Sequence, residues 1–250
     1  MYPYLRTTLA GTAKERIADF VHGDDGFGNT GQPPPTGTAV ANKSAAEFIV
    51  EKANEFPGEV TVVALASATN VALALRQDPS LKTKLHEVVH LGGAFFVNGN
   101  VNPATEANIF GDPEAADELY GSGANVTVIG LDVTQRLIVK KADLESMKAR
   151  DHPHTRFLYD ISQFYMGFHK QTVGMDAIFM HDPAAMLLVF RKDLFTLTRG
   201  RVRVATEDGV CRGQTVLDQG KKQWSFENAW TAGDRPEIAV ALDVDVPGVM

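Results

Sequence analysis

Clustered positive charge is absent from this chain. Its 24 Lys and Arg are outnumbered by 31 Asp and Glu, and no Lys/Arg block occurs. Neutralising a phosphate backbone takes clustered cations, so no nucleic-acid partner is expected. Cysteine is nearly missing as well, since Cys211 is the only one in 250 residues. That excludes a disulfide within the chain and a cysteine-ligated metal centre, and it suits a reducing compartment. No hydrophobic run reaches the ~20 residues that a membrane crossing takes. The longest apolar stretches, 60–68 and 184–190, stop far short. The opening MYPYLRTTLAGTAKERIADF has no basic start followed by an apolar core, so no secretory leader is read there. Cytosol is the default expectation.

What is present is ordinary globular material. The chain is 44% hydrophobic and 22% charged, with a net charge of −7, which argues against disorder. No repeat and no composition break divides it, so one domain over residues 1–250 is expected, with the PPP run at 33–35 as a stiff loop. Strand-like and helix-like segments alternate, which predicts an open, mostly parallel α/β sheet flanked by helices. KSAAEFIVEKANEF (43–56) has helical spacing and is stopped by Pro57-Gly58. EVTVVAL (59–65), EVVHL (87–91) and NVTVIGL (125–131) are apolar and β-branched enough for strands buried on both faces. Helices are expected from Asn70 to Gln77, from the Asp112-Pro113 start to Gly121, and over 141–149, 155–169 and 182–190. Strands are expected again at RVRVAT (201–206) and EIAVALD (237–243).

Three of these strands run into polar, small-residue loops: ASATN (66–70), the long loop 92–110 and DVT (132–134). Parallel sheets bind ligands at the carboxyl ends of their strands, so a site is expected where these loops meet. The long loop carries Asn98, Asn100, Asn102, Glu106 and Asn108 within eleven positions. Any one asparagine there is more simply a turn former. Together, amides that donate and accept and a carboxylate that accepts can grip a polyhydroxylated ligand. His181-Asp182-Pro183 opens a helix, and Asp before Pro is an ordinary helix start. The pair also suits a proton donor beside a hard-metal ligand. Gly26-Phe27-Gly28-Asn29-Thr30-Gly31 matches the dinucleotide fingerprint in letters only. QPPPTG follows where a helix must start, so a nucleotide-dependent oxidoreductase is rejected. Asp24-Asp25 beside it reads as a solvated turn.

The long loop, GGAFFVNGNVNPATEANIFGDPEAA (92–116), resembles the ribose-binding segment of the inosine-uridine nucleoside hydrolase family. HDPAA (181–185) resembles its second motif, and VHGDDGFGN (21–29), LASATNVALAL (65–75) and GLDVT (130–134) match further segments in order. The likeness runs over nearly the whole chain, and plant-type uridine and inosine nucleosidases look most similar. The resemblance implies hydrolysis of ribonucleosides to ribose and free base, with calcium as cofactor and a dimer or tetramer as the assembly. Asn100, Glu106 and Asn108 would hold the ribose hydroxyls. The Thr69 carbonyl and the Asp182 carboxylate would ligate calcium, and His181 would protonate the departing base. His22 would sit at the rim near the 5′ end of the sugar, with Tyr165 and His169 lining the base pocket.

Some positions depart from the family pattern. Ala107 stands where an aromatic is usual, Ser67-Ala68 replaces Gly-Pro, and the end, DVDVPGVM, falls before a usual final helix. Family members also carry a D-x-D-P-G-x-D-D cluster that supplies most calcium ligands, and this chain contains none. A chain clipped at both ends is therefore expected, with an incomplete calcium shell and slower turnover than a form bearing the cluster. The alternative is an impaired paralogue that binds ribose or serves as a subunit partner.

Overall fold

The computed structural model describes residues 8–9, 18–33, 36–37, 43–231 and 233–249. Of the expectations above, those for 34–35 and for most of the opening twenty residues lie outside the described residues. No helix among the described residues is long and apolar enough to cross a membrane.

Contacts group the chain into two compact units where its composition shows no break. The first comprises 1–14, 39–134 and 181–250, and the second 15–38 and 135–180. The first unit holds six strands: β1 (Val60–Ala64), β2 (Leu85–Leu91), β3 (Val126–Ile129), β6 (Phe195–Val204), β7 (Thr215–Asp218) and β8 (Ile238–Val244). They lie in the order β1-β2-β3-β8-β6-β7. The first four in that order are mutually parallel, while β6 runs antiparallel to β8 and β7 antiparallel to β6. The expected α/β class with a mostly parallel sheet is what the structure shows.

Local chemistry accounts for most of the boundaries. Helix Ala45–Glu55 starts at a capping box, in which Ser44 Oγ accepts from Glu47 N–H at 3.2 Å and Glu47 Oε2 accepts from Ser44 N–H at 2.6 Å. Helix Pro113–Gly121 starts on Asp112, whose Oδ1 accepts from Ala115 N–H at 3.1 Å. Pro113 occupies the first turn, where a missing N–H costs nothing. Val88, Ile109, Leu119, Val128 and Val240 are all fully buried in the core of this unit.

β2 and β3 are apolar runs buried as expected. β1 is not: all five of its residues are only half-buried. It pairs with β2 alone and ends the sheet among the described residues, so its faces have less cover than those of an inner strand.

The second unit pairs β4 (Ile138–Lys140) with β5 (Ala177–Phe179) antiparallel. It adds helices Asp19–His22, Lys141–Ala149 and Pro153–Val173, the last closed by Gly174 in the left-handed conformation. Val139, Leu144 and Met166 form its small core.

Candidate active site

β1, β2 and β3 are parallel, so their carboxyl ends share one edge of the sheet. Gly92 N–H makes the last ladder bond of β2, to Ile129 O at 3.0 Å, and the chain then turns away at Gly93, φ 91°. A side chain could not fit at Gly130 either, because its Cβ would lie 2.6 Å from Gly93 O. Beyond the turn, the ladder has no acceptors left for the backbone. Gly93 N–H donates to Glu106 Oε2 at 3.1 Å, and Ala94 N–H donates to Thr215 Oγ1 at 3.0 Å. Phe95 and Phe96 N–H donate to Asp132 Oδ2 and Oδ1 at 2.9 and 2.8 Å. Four consecutive amides thus end on three buried side chains.

Glu106 caps helix Ala107–Gly111. Its Oε1 accepts from Asn108 N–H at 2.9 Å, and its Oε2 also accepts from Ile109 N–H at 3.1 Å. Burial pushes its carboxyl up to about 7, three amide bonds pull the other way, and the charge of Asp182 adds to the rise. That repulsion places the two carboxylates in one electrostatic neighbourhood, although they are 76 residues apart in sequence (182 − 106).

Asn108 Nδ2 donates to Leu91 O at 2.9 Å and to Leu65 O at 3.3 Å, tying the ends of β1 and β2 together. Its amide oxygen is what it can offer a ligand hydroxyl. Asn100 is the reverse, since it is exposed and its Oδ1 accepts from Ala107 N–H at 2.9 Å, so its NH2 is what it can offer a ligand. Asn102 is a turn former, accepting from Ala104 and Thr105 N–H, each at 2.9 Å.

Helix His181–Phe190 begins at His181, one residue earlier than expected, so Asp182 is exposed in its first turn rather than capping it. An acidic residue there is favoured by the helix dipole. His181 Nδ1 is 2.7 Å from Thr134 Oγ1, which orients the ring. Thr69 is buried and opens helix Thr69–Gln77, and its hydroxyl donates to Asp112 Oδ2 at 2.6 Å. Beside it, Asn70 Oδ1 is buried without a hydrogen-bond partner.

Calcium takes about 6–8 oxygen ligands. The candidates here are the Asp182 carboxylate and the Thr69 carbonyl, and no group of three or more His, Cys, Asp or Glu side chains suited to a metal occurs among the described residues. The described donors therefore do not complete a calcium shell.

Sequence reasoning missed four buried partners of this site. Asp132 and Thr134 are polar residues in a strand-end loop already singled out, and that position was their signal. Thr215, which also donates to Ala94 O at 3.0 Å, has no local signal. His90 lies fully buried in β2, with Nε2 donating to Ala66 O at 3.2 Å and Nδ1 accepting from Tyr120 OH at 2.8 Å. Burial pushes it down to about 4.

The second unit brings together the three residues expected to touch the base and the sugar rim. The Tyr165 and His169 ring centroids are 4.3 Å apart, and those of His22 and Tyr165 are 5.5 Å apart. His169 Nδ1 lies 3.1 Å from Ala177 O, and burial lowers its proton affinity. Nearby, Asp25 Oδ1 accepts from Phe27 and Asn29 N–H at 2.7 and 2.9 Å, the exposed turn read from the sequence. Among the described residues just after the glycines of 26–31, 32–33 and 36–37 are not helical.

A mostly parallel sheet with carboxylates, amides and a histidine at its strand ends defines an α/β protein built to hold a polar small molecule. The family model for inosine-uridine preferring nucleoside hydrolases matches residues 5–250. Over 235 residues the chain is 48% identical to the probable uridine nucleosidase 1 of Oryza sativa subsp. japonica, covering 94% of this chain and 71% of that protein. It is 47% identical to uridine nucleosidase 1 of Arabidopsis thaliana over 94% of this chain and 69% of that one. A solved plant nucleoside hydrolase, PpNRh1, superposes with a TM-score of 0.93 at 43% identity, covering 98% of this chain and 76% of the other. The chain belongs to the inosine-uridine preferring nucleoside hydrolase family. It is thus a hydrolase of N-glycosyl bonds.

Proposed function

We propose that this chain splits ribonucleosides, uridine among them, into ribose and free base, with Glu106, Asn100 and Asn108 on the sugar and His181 on the base. Uridine as substrate is supported by the names of the two plant relatives. The observation that carries the assignment is Glu106, a buried carboxylate held at a strand end by three amides and within electrostatic reach of Asp182.

Breaking the ribose–base bond builds positive charge on the sugar, as in other glycoside hydrolyses. A fixed carboxylate beside the ring stabilises that charge more than it stabilises the neutral ground state, which is the condition for acceleration. Asn108 accepts and Asn100 donates, so hydroxyls of either polarity can be met. His181, with its ring held by Thr134, gives a proton to the departing base. His22, Tyr165 and His169 are assigned to recognition of the nucleoside, and the Thr69 carbonyl and Asp182 to the share of a calcium shell that the described residues contribute. Residence in the cytosol and assembly into two or four copies belong to the same proposal.

The test is chromatographic detection of uracil and hypoxanthine released from uridine and inosine in the presence of calcium. Release of base with equimolar ribose is expected, and its absence at saturating nucleoside would defeat the assignment.

A further inference from the structure

The turn Leu131–Thr134 touches both halves of the site. Asp132, 8% exposed, holds the Phe95 and Phe96 amides, one on each carboxylate oxygen. Two residues later, fully buried Thr134 meets His181 Nδ1 at 2.7 Å. The turn is itself pinned to the sugar loop, because Leu131 N–H donates to Gly93 O at 2.9 Å. From the far side of the sheet order, Thr215 of β7 both accepts from Ala94 N–H and donates to Ala94 O.

A buried N–H left without a partner costs about 1–3 kcal/mol, so loop positions that break these bonds are disfavoured. A carboxylate that takes two successive amides fixes the direction of the chain as well as its position. Asn98 to Asn108 follow directly from that fixed start, and Glu106 closes the loop back onto Gly93.

We propose that the Leu131–Thr134 turn sets the spacing between the sugar-gripping loop and the proton-donating histidine. Asp132 is the positioning residue for the loop, backed by Thr215, and Thr134 is the positioning residue for His181. The proposal rests on the functional reading above, but the two can fail separately.

The experiment compares Asp132→Asn, Thr215→Val and Thr134→Val by uridine kinetics and by hydrogen exchange of the loop amides. Asn keeps the shape of Asp but turns an NH2 toward one of the two amides. A misplacement of about 1 Å costs on the order of 10²-fold in a positioned site. Asp132→Asn is therefore expected to lower kcat/KM by up to about a hundredfold, with KM rising roughly tenfold and kcat falling too because Glu106 rides on the same loop. Protection should fall at Phe95 and Phe96, and with them at Asn108 and Ile109. Thr215→Val, close to isosteric, should repeat this pattern more weakly. Thr134→Val should leave the loop amides protected and lower kcat more than it raises KM.

A KM rise, or a loss of loop-amide protection, in Thr134→Val equal to that in Asp132→Asn would overturn the division of labour. So would losses fully explained by an unfolded fraction. If the unsubstituted chain released no base, the functional assignment would fall and hydrogen exchange alone would decide this proposal. Unchanged protection at 107–109 in Asp132→Asn would then reject it.

Discussion

Glu106 and Asp182 carry the same functional group into the same neighbourhood, yet their surroundings are opposite. Glu106 is 5% exposed, accepts three amides and holds its proton up to about 7. Asp182 is exposed in the first turn of a helix. The buried group is preorganised at the expense of its charge, because desolvation disfavours the ionised form. The exposed group keeps water beside it and suits capturing a cation from solution. In the proposed function, one meets charge that develops on a substrate and the other charge that arrives.

The largest expected effect tests the first half of that contrast. Glu106→Gln keeps the shape and removes the charge, and kcat for uridine should fall by about 10²–10³-fold, the usual consequence of deleting one preorganised electrostatic group. A loss under about tenfold would make Glu106 a brace for the loop and no more. Asp182→Asn tests the second half. It should weaken calcium-dependent nucleoside binding by calorimetry at least about tenfold if Asp182 has the ligand role proposed above. Thermal stability should hold, because exposed substitutions usually stay within ~0.5 kcal/mol. Unaltered binding with a lowered Tm would return Asp182 to the role of a helix start.

Titration sharpens the contrast further. Glu106 has a folded value of about 7 against an ordinary 4.5, so the folded state binds more protons than the unfolded between them. Its contribution to stability is full below 4.5 and is lost as pH rises toward 7. His90 has a folded value of about 4 against 6.5, so its contribution is lost as pH falls from 6.5 toward 4. Each slope spans up to ~3 kcal/mol at about 1.36 kcal/mol per unit. The two oppose between pH 4.5 and 6.5, and the lowered proton affinity of His169 adds to the His90 side, so urea midpoints of the unsubstituted chain should rise only gently with pH there. Glu106→Gln should expose the His90 slope, with stability falling toward acid. A flat profile in that variant would mean that His90 keeps an ordinary proton affinity.

The smallest effect separates grip from turn. Asn102→Asp preserves the oxygen that accepts from Ala104 and Thr105, so KM should change by no more than about twofold. A tenfold rise would give Asn102 direct contact with the substrate.

Elements whose cause is local were legible in the sequence. The Asp112-Pro113 start and the helices at 141–149 and 181–190 follow from caps and spacing, and their ends fall within a residue of expectation. Motif order singles out Glu106 and His181, whose roles belong to the function proposed above. The apolar run of β1 promised burial on both faces, but burial depends on what packs against a strand, and β1 ends the sheet among the described residues. The three-residue strands β4 and β5 are too short for any periodicity to register. Asp132 and Thr215 stayed hidden because their partners lie 36 or more residues away. A threonine in a strand looks the same whether or not it holds an active-site loop.

The sheet order carries a consequence for how the molecule is made. β8, the last strand of the chain, lies between β3 and β6, so it joins the two halves of the sheet. The Ala94–Thr215 bonds span 121 residues. At roughly 5–20 residues per second of synthesis, Ala94 waits on the order of ten seconds for its partner to be translated. Such distant closures also carry the largest loop entropy and slow folding. Of the four loop amides, Ala94 is thus the last to find its partner, after Gly93, Phe95 and Phe96 can already reach Glu106 and Asp132.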